Sequence, residues 1–422
     1  MDQKLYNEQS IESLSPLEFT RLRPQVYAGD CTYSTQLLVE IVSNAIDEFR
    51  LGHGTLIEVK IDKDIVSVRD YGQGFIPNSV REDGKTILEA AFSVLNTSGK
   101  YREDGTYEGT SLGSFGIGSK ITTFLSHWLN VTTWRDGKFE TINFTEGEFG
   151  VRDKGAAAGS PSGTLVKWQP SEEFFTNTTV EEKVIKDLFK TTACLCPGLT
   201  IKLDLNGENF EYSSQNGLND LVSENVKDKE LINNRFTYQM EDGKNKLDLV
   251  MTYTTNYSAT IIPYVNTGLT EAGPHITQFK TYITKVFNKF IRDKKWLKEK
   301  DENLSGDDIQ EGLYLVFNIT APGVGYDAQV KSRITKIDMK PFTGPFVTAF
   351  GEWLERNEKE VKSIADKAIN AKKAREAAKK ARDSVRSKEE KKQKALKFDS
   401  KLADCYSKDR SKCEIYITEG KR

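Results

Sequence analysis

The segment "EIVSNAIDEF", from Glu40 to Phe49, is central to the fold. Its apolar residues recur at helical spacing and predict an amphipathic helix. At roughly 100° per residue, its polar side chains fall on one face. They are Glu40, Asn44, Asp47 and Glu48. Most such faces are only solvated, and that interpretation stays open. However, Asn44 is a mediocre helix former, and an amide one turn from a carboxylate is a good site for a hard cation.

The composition predicts a polar protein with true hydrophobic cores. The chain has 422 residues, which favours two or three domains, with 37% hydrophobic and 29% charged residues. A net charge of -2 gives no global signal for nucleic-acid or membrane binding. The sequence has no long apolar run and a polar N-terminus, and its five cysteines lack a paired metal-ligand spacing. We therefore expect a cytoplasmic protein with reduced thiols and no membrane partner.

The hydrophobic pattern places further elements around this helix. Alternation predicts strands over 55–62, 65–70, 129–134, 139–144, 163–170, 200–205 and 208–212, with a helix over 86–95. In the second half it predicts strands over 247–255, 260–267 and 313–320 and a helix over 278–291. A long helix rich in Ala, Lys, Arg and Glu is expected from about Gly351 to Lys397, and a last strand over "EIYIT".

Two glycine-rich loops suggest binding chemistry. In "GSFGIGSK", Gly113 to Lys120, closely spaced glycines before an apolar helix allow backbone N–H groups to approach a phosphate. The spacing fits neither a Walker loop nor a dinucleotide fingerprint, and a flexible loop is the plain alternative. In "VRDYGQG", Asp70 ends a strand and could accept a hydrogen bond from the amino group of adenine. The alternative there is an aspartate that opens a turn.

The order of these motifs resembles a known superfamily. An acid–Asn helix, Asp-x-Gly-x-Gly, Gly-x-x-Gly-x-Gly and Gly-Thr follow one another as in the GHKL ATPases, which include gyrase B, Hsp90, MutL and histidine kinases. "RLRPQVYAGD", "VNTGLTEAGPHITQF", "LSGDDIQEGL", "YDAQVKSRI" and "KLADCYSKDRSKCEIYITEG" are similar to segments of gyrase B. From about Tyr6 to Gly420, the sequence resembles the ATPase subunit of type IIA DNA topoisomerases, the family of gyrase B and of ParE from topoisomerase IV.

The resemblance implies an α/β fold in three parts. Residues 1–213 would form a GHKL (Bergerat) ATP-binding α/β sandwich with an N-terminal dimerisation arm. Residues 214–397 would form a ribosomal-protein-S5-like transducer domain that ends in the long charged helix. Residues 398–422 would be a linker and the first strand of a truncated Toprim domain.

The resemblance also implies a role for individual residues. Glu40 matches the general base, Asn44 the Mg²⁺ ligand, and Asp70 the group that reads adenine. Asp47 and Glu48 would lie at the pocket edge or behind it. The other implied nucleotide contacts are Gly72, Gly74, Ile76, Lys100, Tyr107, Gly113, Ser114, Phe115, Gly116, Ile117, Gly118 and Thr164.

Further roles come from the second domain and the chain termini. Gln329 and Lys331 match a Gln-x-Lys loop whose lysine reaches the γ-phosphate. Tyr6 and Ile11 match an arm that covers the nucleotide of the other protomer. Glu419 matches the first acid of a Toprim site. The alternatives are that Lys331 and Lys100 are ordinary solvated lysines and that Tyr6 belongs to a disordered tail.

The implied function is an ATP-binding and ATP-hydrolysing dimerisation gate of a type IIA DNA topoisomerase. It would use Mg²⁺ and ATP, dimerise on ATP binding, and act on DNA with a DNA-cleaving gyrase A or ParC-like subunit. DNA cleavage is not expected of this chain alone, because "EGKR" stands where the family has Glu-Gly-Asp-Ser-Ala.

Two alternatives stay open, and three departures from the family pattern favour the second of them. Gln73 replaces a usual arginine that pairs with the acid matched by Glu48, and Ser114 and Phe115 replace the usual residues of the glycine loop. One alternative is another GHKL ATPase, such as a MutL-like clamp. The other is a clamp-like regulator that has lost hydrolysis.

Overall fold

The structure, a computed structural model of the chain, describes residues 14–95, 116–327, 331–396, 405–407 and 409–417. Two sheets dominate it, one of eight strands and one of five. Among the described residues, no helix is both long enough and apolar enough to cross a membrane. Cys31, Cys194 and Cys196 are free thiols, and the last two are buried.

The elements up to residue 212 form the first region. In chain order they are α1 (Pro16–Leu22), α2 (Pro24–Ala28), α3 (Thr35–Arg50), β1 (Leu56–Asp62), β2 (Ile65–Asp70), α4 (Ile87–Ser93), α5 (Gly118–Phe124), β3 (Ser126–Arg135), β4 (Lys138–Thr145), β5 (Glu148–Ala156), β6 (Gly163–Pro170), α6 (Glu182–Leu195), β7 (Thr200–Leu205) and β8 (Glu208–Tyr212).

The elements from residue 218 form the second region. They are α7 (Leu218–Val226), β9 (Phe236–Asp242), β10 (Asn245–Tyr253), β11 (Thr260–Val265), β12 (Gly268–Leu269), α8 (Pro274–Asp293), α9 (Gly306–Gln310), β13 (Leu313–Thr320), β14 (Gly325–Tyr326), β15 (Ile334–Lys336), α10 (Lys340–Arg356) and α11 (Glu358–Leu396), followed by a 3₁₀ turn at Arg410–Lys412.

The eight-stranded sheet has the order β5-β4-β3-β6-β2-β1-β7-β8. β1 pairs antiparallel with β2, with Val59 opposite Val68, and parallel with β7, with Ile57 opposite Ile201. Alternation along these strands turns the valines and isoleucines to one face, which is buried under the helices. The apolar side of α3, including Leu38 and Ile41, packs into this core.

The five-stranded sheet has the order β12-β11-β13-β10-β9. Its central strand β13 buries every residue from Leu313 to Ile319. Tyr314 and Val316 join the core of the first region, whereas Leu315 and Phe317 join a second core under α8 and α10. A strand buried on both faces has no polar side, which explains its continuous apolar run.

The long charged helix differs from its prediction. The expected helix over Gly351 to Lys397 is instead the end of α10 followed by α11, with a break at Asn357, whose side-chain amide donates to the Trp353 carbonyl at 2.8 Å. The beginning of α11 is packed, with Val361 and Ala365 fully buried. From residue 373 to 389 its side chains are exposed, as its composition predicted.

Other elements were not predicted or do not form. β5 is exposed on both faces, so it carries no alternation signal, and α6 contains two threonines and a cysteine, which are weak helix formers. The predicted strand over "EIYIT" is wrong for the described residues 414–417, which have no regular structure. Ile415, Tyr416 and Ile417 are exposed there, and the described residues offer them no neighbouring strand.

The domain boundary at residue 213 stays a prediction. The two sheets lie on either side of it, but α7, just after it, contributes Leu221 and Val222 to the core of the first region.

Candidate functional site

A cavity of about 950 Å³ lies between α3, the buried face of β2 and β6, and the start of α5. One edge comes from the second region through Thr267, Gly268, Leu269 and Lys331. Predicted site residues that line it are Glu40, Asn44, Glu48, Asp70, Gly74, Ile76, Gly116, Ile117, Gly118, Thr164 and Lys331. Segments far apart in sequence therefore meet in one chamber.

The polar face of α3 contributes three of its four predicted residues. Glu40, Asn44 and Glu48 line the cavity, whereas Asp47 does not. Asp47 is only 2% exposed, and its carboxylate lies 3.9 Å from the guanidinium of Arg50. Asp47 therefore does not reach the pocket edge and lies behind it, the other predicted position, because the helix turns this acid toward the packed side.

Glu40 is held in place from two directions. Its Oε1 accepts a hydrogen bond from the Gln36 amide at 2.8 Å, one helical turn earlier. A Cβ on Gly118 would lie 2.2 Å from the Glu40 Oε2. Any larger residue at this position would push the Glu40 carboxylate aside, so glycine keeps the carboxylate where it is. The arrangement leaves a partly buried carboxylate oriented at the cavity wall.

Asn44 is exposed on the same face and lines the cavity. Its side-chain carbonyl is a hard oxygen donor of the type that Mg²⁺ accepts. Mg²⁺ usually takes one or two protein ligands and completes its shell with phosphate oxygens and water. The donor set at this end of the cavity therefore fits a magnesium ion that arrives with a phosphate ligand.

Asp70 lies at the end of β2, and its Oδ1 accepts two backbone hydrogen bonds. The donors are the N–H groups of Gly72 at 2.9 Å and Thr164 at 3.2 Å. Burial raises the pKa of Asp70 to about 6, and the nearby charge of Glu48 adds to this. Both hydrogen bonds fall on one oxygen, so Oδ2 is free of these two donors.

Two glycines after Asp70 shape the adjoining wall. Gly74 has φ +69°, and a Cβ there would lie 2.5 Å from the Trp134 carbonyl oxygen, so the wall needs glycine at this position. Gly72 does not line the cavity. It lies behind the wall, where a Cβ would meet Glu48 Oε2 at 2.7 Å, so its predicted direct contact is corrected to a supporting one through Asp70.

Gln73, which stands where the family usually has an arginine, contacts Glu48 through its backbone. Its N–H donates to the Glu48 Oε2 at 3.2 Å, and its side chain lines the cavity. Glu48 is therefore fixed without the ion pair that an arginine would form.

Lys120 was not predicted as a site residue, although it ends the quoted glycine loop. It is 3% exposed and lines the cavity from the first turn of α5. Burial lowers the pKa of its ammonium group to about 8. Arg81 and Arg135 also line the cavity. Their position adds positive charge to the chamber, but neither belongs to a motif that could have identified it.

The second region contributes Lys331, which lines the cavity as expected. The remaining predicted site residues lie outside the described part of the chain. They are Tyr6, Ile11, Lys100, Tyr107, Gly113, Ser114, Phe115, Gln329 and Glu419.

Comparison with known proteins identifies the family. Residues 217–384 match the family described as DNA gyrase B. The chain is 32% identical over 425 residues to the B subunit of DNA topoisomerase 4 from Bacillus subtilis, covering 98% of this chain and 64% of that protein. These similarities support a type IIA DNA topoisomerase ATPase subunit. The corresponding protein of Staphylococcus aureus strain MW2 is 34% identical, with 99% of this chain and 65% of that protein covered. The chain thus spans a little under two thirds of the length of these relatives.

Solved structures confirm the predicted fold class. The 43K ATPase domain of Thermus thermophilus gyrase B, in complex with an aminocoumarin, matches with a TM-score of 0.69 and 27% identity, covering 87% of this chain and 97% of that one. The ATPase and transducer domains of DNA topoisomerase II from Balamuthia mandrillaris match with a TM-score of 0.69, covering 88% and 100%. At 18% identity, the second match supports the fold alone. The two regions are the GHKL ATPase and transducer folds of type IIA topoisomerases.

Proposed function

We propose that this chain is the ATP-operated gate of a type IIA DNA topoisomerase. The observation that carries the proposal is the single cavity lined by Glu40, Asn44 and Asp70 from the first region and Lys331 from the second. Such a chamber has groups suited to act as a general base, to bind a metal ion and to bind a phosphate. Each of these groups comes from a segment that matches a family motif.

Adenine would bind at Asp70. With Oδ1 accepting from the Gly72 and Thr164 N–H groups, Oδ2 is available to accept a hydrogen bond from the adenine amino group. At neutral pH a carboxyl with a pKa of about 6 is mostly ionised, so this contact is charge-assisted.

The triphosphate would lie along α3 and the start of α5. Asn44 would hold Mg²⁺, which supplies charge neutralisation for the phosphates when bound. Backbone at Gly116–Gly118 and the ammonium group of Lys331 would contact phosphate oxygens. These residue roles rest on position in the cavity together with the motifs.

Hydrolysis would proceed by attack of water on the γ-phosphorus. Glu40 takes a proton from that water as the new P–O bond forms, and the bond from the γ-phosphorus to the bridging oxygen of ADP breaks. The Gln36 hydrogen bond orients the Glu40 carboxylate for this step. The products are ADP and inorganic phosphate.

The action of the whole subunit is part of the proposal, because its relatives are longer than this chain. ATP binding would dimerise the chain and close it over a DNA segment, with a DNA-cleaving gyrase A or ParC-like subunit as partner. We assign residues 1–213 to the ATPase domain, 214–397 to the transducer, and 398–422 to the linker and the start of a Toprim domain.

Phosphate release from ATP, measured with and without Mg²⁺ and over a range of protein concentration, tests the proposal. We expect magnesium-dependent release whose rate per chain rises with concentration, because the closed state needs two chains. Binding of a non-hydrolysable ATP analogue without any release of phosphate from ATP would instead identify a clamp-like regulator. Absence of binding would remove the proposed function.

A further inference from the structure

Helix α3, which carries Glu40 and Asn44, ends in an arginine that contacts the second region. The guanidinium of Arg50 donates to the Asn266 carbonyl oxygen at 3.2 Å and to Thr320 Oγ1 at 3.2 Å. Its side chain is 12% exposed and lies 3.9 Å from the buried carboxylate of Asp47. A partly buried cation with a carboxylate on its own helix and two acceptors on another region is a fixed bridge between them.

The acceptor of Arg50 belongs to a turn with an unusual backbone. Asn266 and Thr267 have φ values of +52° and +69°, a conformation that is costly for a β-branched residue. The buried Asn266 side chain exchanges two hydrogen bonds of 3.1 Å with the backbone of Ala321. The Thr267 N–H donates to Asn318 Oδ1 at 3.2 Å. The turn is thus held firmly by its own region, and Arg50 contacts a rigid point.

The turn continues into residues 270–272, which form hydrogen bonds with the backbone next to Lys331. Thr267, Gly268 and Leu269 line the cavity. Two residues later the Glu271 N–H donates to the Ser332 carbonyl at 2.7 Å, and the Ile334 N–H donates to the Ala272 carbonyl at 2.9 Å. These two bonds fix the backbone of residues 332–334, which directly follow Lys331 in the chain. An unbroken path of contacts therefore runs from Arg50 through segment 266–272 to Lys331.

The hairpin that carries Lys331 begins beside the same bridge. Tyr326 on β14 is largely buried, and burial raises its pKa to about 12, although Asn266 and Arg50 both act in the opposite direction. Its phenol ring therefore lies near the same two residues. Arg50 therefore lies near the β14 end of the loop that contains Lys331, and it is linked to the β15 end through segment 266–272.

We propose that Arg50 is a positioning residue that sets Lys331 relative to Glu40 and Asn44 across the two regions. This inference rests on the proposed function, since Lys331 matters only if a phosphate binds. Arg50 itself does not line the cavity and acts through segment 266–272. Movement of the second region relative to α3 would have to break or carry along this bridge.

The test compares Arg50→Gln, Lys331→Gln and the double variant in the full chain. We expect Arg50→Gln to lower kcat about tenfold or more, as a displaced contact does, with ADP affinity unchanged because ADP lacks the γ-phosphate. The affinity of a non-hydrolysable ATP analogue relative to ADP should fall toward the value for Lys331→Gln. The double variant should be no worse than Lys331→Gln, because the two residues act in series.

Controls separate positioning from stability. Arg292→Gln removes an arginine that donates to the Lys298 carbonyl at 2.8 Å within the second region, so it should lower thermal stability without changing kcat. Arg50→Lys keeps a cation and should restore part of the rate. If Arg50→Gln fails to fold, Thr320→Val removes one acceptor of the bridge and should lower kcat in the same direction.

The outcomes are distinct. Unchanged kcat in folded Arg50→Gln, or losses that multiply fully in the double variant, would overturn the inference about Arg50 and leave the ATPase proposal standing. A wild-type chain that neither binds nor hydrolyses ATP would overturn both.

Discussion

The two sheets of this molecule are buried in different ways. In the eight-stranded sheet, β2 alternates, with Val66 and Val68 buried and Ser67 only partly so. In the five-stranded sheet, β13 is buried on both faces and joins the cores of both regions. Two polar residues of the site, Asp70 and Thr164, belong to the first sheet.

This difference in burial corresponds to a division of roles between the two sheets under the proposed function. A sheet covered on one side by helices leaves room for a polar chamber between the layers, with groups from strand ends and loops around it. A strand packed on both sides cannot shift without disturbing two cores, because interiors are close-packed. Under the proposed function, the first sheet would position the ligand, and the second would carry movement from one region to the other as a unit.

The strongest test of this contrast removes the base from the first region. Glu40→Ala should slow hydrolysis by about 10²–10⁴-fold while nucleotide binding survives, because the carboxylate acts on water and not on adenine. Phosphate release and analogue binding are the measurements. Glu241→Ala, at an exposed acid of the second region, is the matched control and should change neither. Loss of binding together with hydrolysis would mean that Glu40 has a structural role.

The second test asks whether the other region contributes one specific contact. Lys331→Gln should lower kcat by about 10²-fold, since a positioned donor to developing charge is lost, with little change in ADP affinity. Lys336→Gln, at an exposed lysine on β15, is the control for loss of charge. Equal rates for the two variants would place all of the chemistry in the first region.

A smaller effect should appear with pH at Asp70. Its pKa is about 6, above the ordinary 3.8, so the carboxyl protonates as pH falls through 6. Nucleotide affinity should then be about tenfold weaker near pH 5 than near pH 7.5, since a charge-assisted hydrogen bond becomes a neutral one. Asp70→Asn should bind weakly at both pH values. A pH-independent affinity in the wild type would argue against adenine recognition by this carboxyl.

The same shift has a consequence for stability, with the opposite direction. Because the folded-state pKa of Asp70 is raised, its favourable contribution is complete below pH 3.8 and is lost as pH rises to about 6. Urea unfolding of the wild type and Asp70→Asn across this window should show the wild type losing stability relative to the variant as pH rises.

The smallest expected effect lies in the second region, away from the site. Gly351 lies within α10, and a Cβ there would be in ordinary contact with the Val286 Cγ1, at 4.0 Å. Gly351→Ala should raise the free energy of unfolding by about 0.5–1 kcal/mol, since alanine loses less backbone entropy in a helix, with turnover unchanged. Gly118→Ala is the contrast, because its methyl group would collide with Glu40 and should lower turnover. Similar turnover in the two variants would contradict the close approach of α5 to the base.

The sequence predicted best where one physical signal was strong. The alternation in β1 and β2 and the apolar side of α3 are long and regular, so these elements form as expected. The motif order brought Glu40, Asn44, Asp70 and Lys331 to one cavity, although nothing in their spacing gives the distance between them.

The failures have physical causes. A helical wheel places Asp47 and Glu48 on the same face of α3 but does not show which acid faces the packed side. In the structure Asp47 faces that side, next to Arg50 and the contacts of Arg50 with the second region. Lys120 is a residue that is usually solvated, so its burial depends on the tertiary packing of α5. The break at Asn357 is equally invisible, since one asparagine within a charged helix is common.

The charged helix α11 is anchored in its first half, and its described side chains from residue 376 onward are exposed. Near its start, Lys367 donates to the Asn256 carbonyl at 2.6 Å, and Arg375 forms a two-pronged ion pair with the buried Asp308. The stretch 376–396 beyond this anchor is roughly 30 Å long at the usual rise per residue. A tilt of about 10° at the anchor would thus sweep the far tip sideways by roughly 5 Å, so the helix would act as a lever arm that enlarges a small rotation at its base.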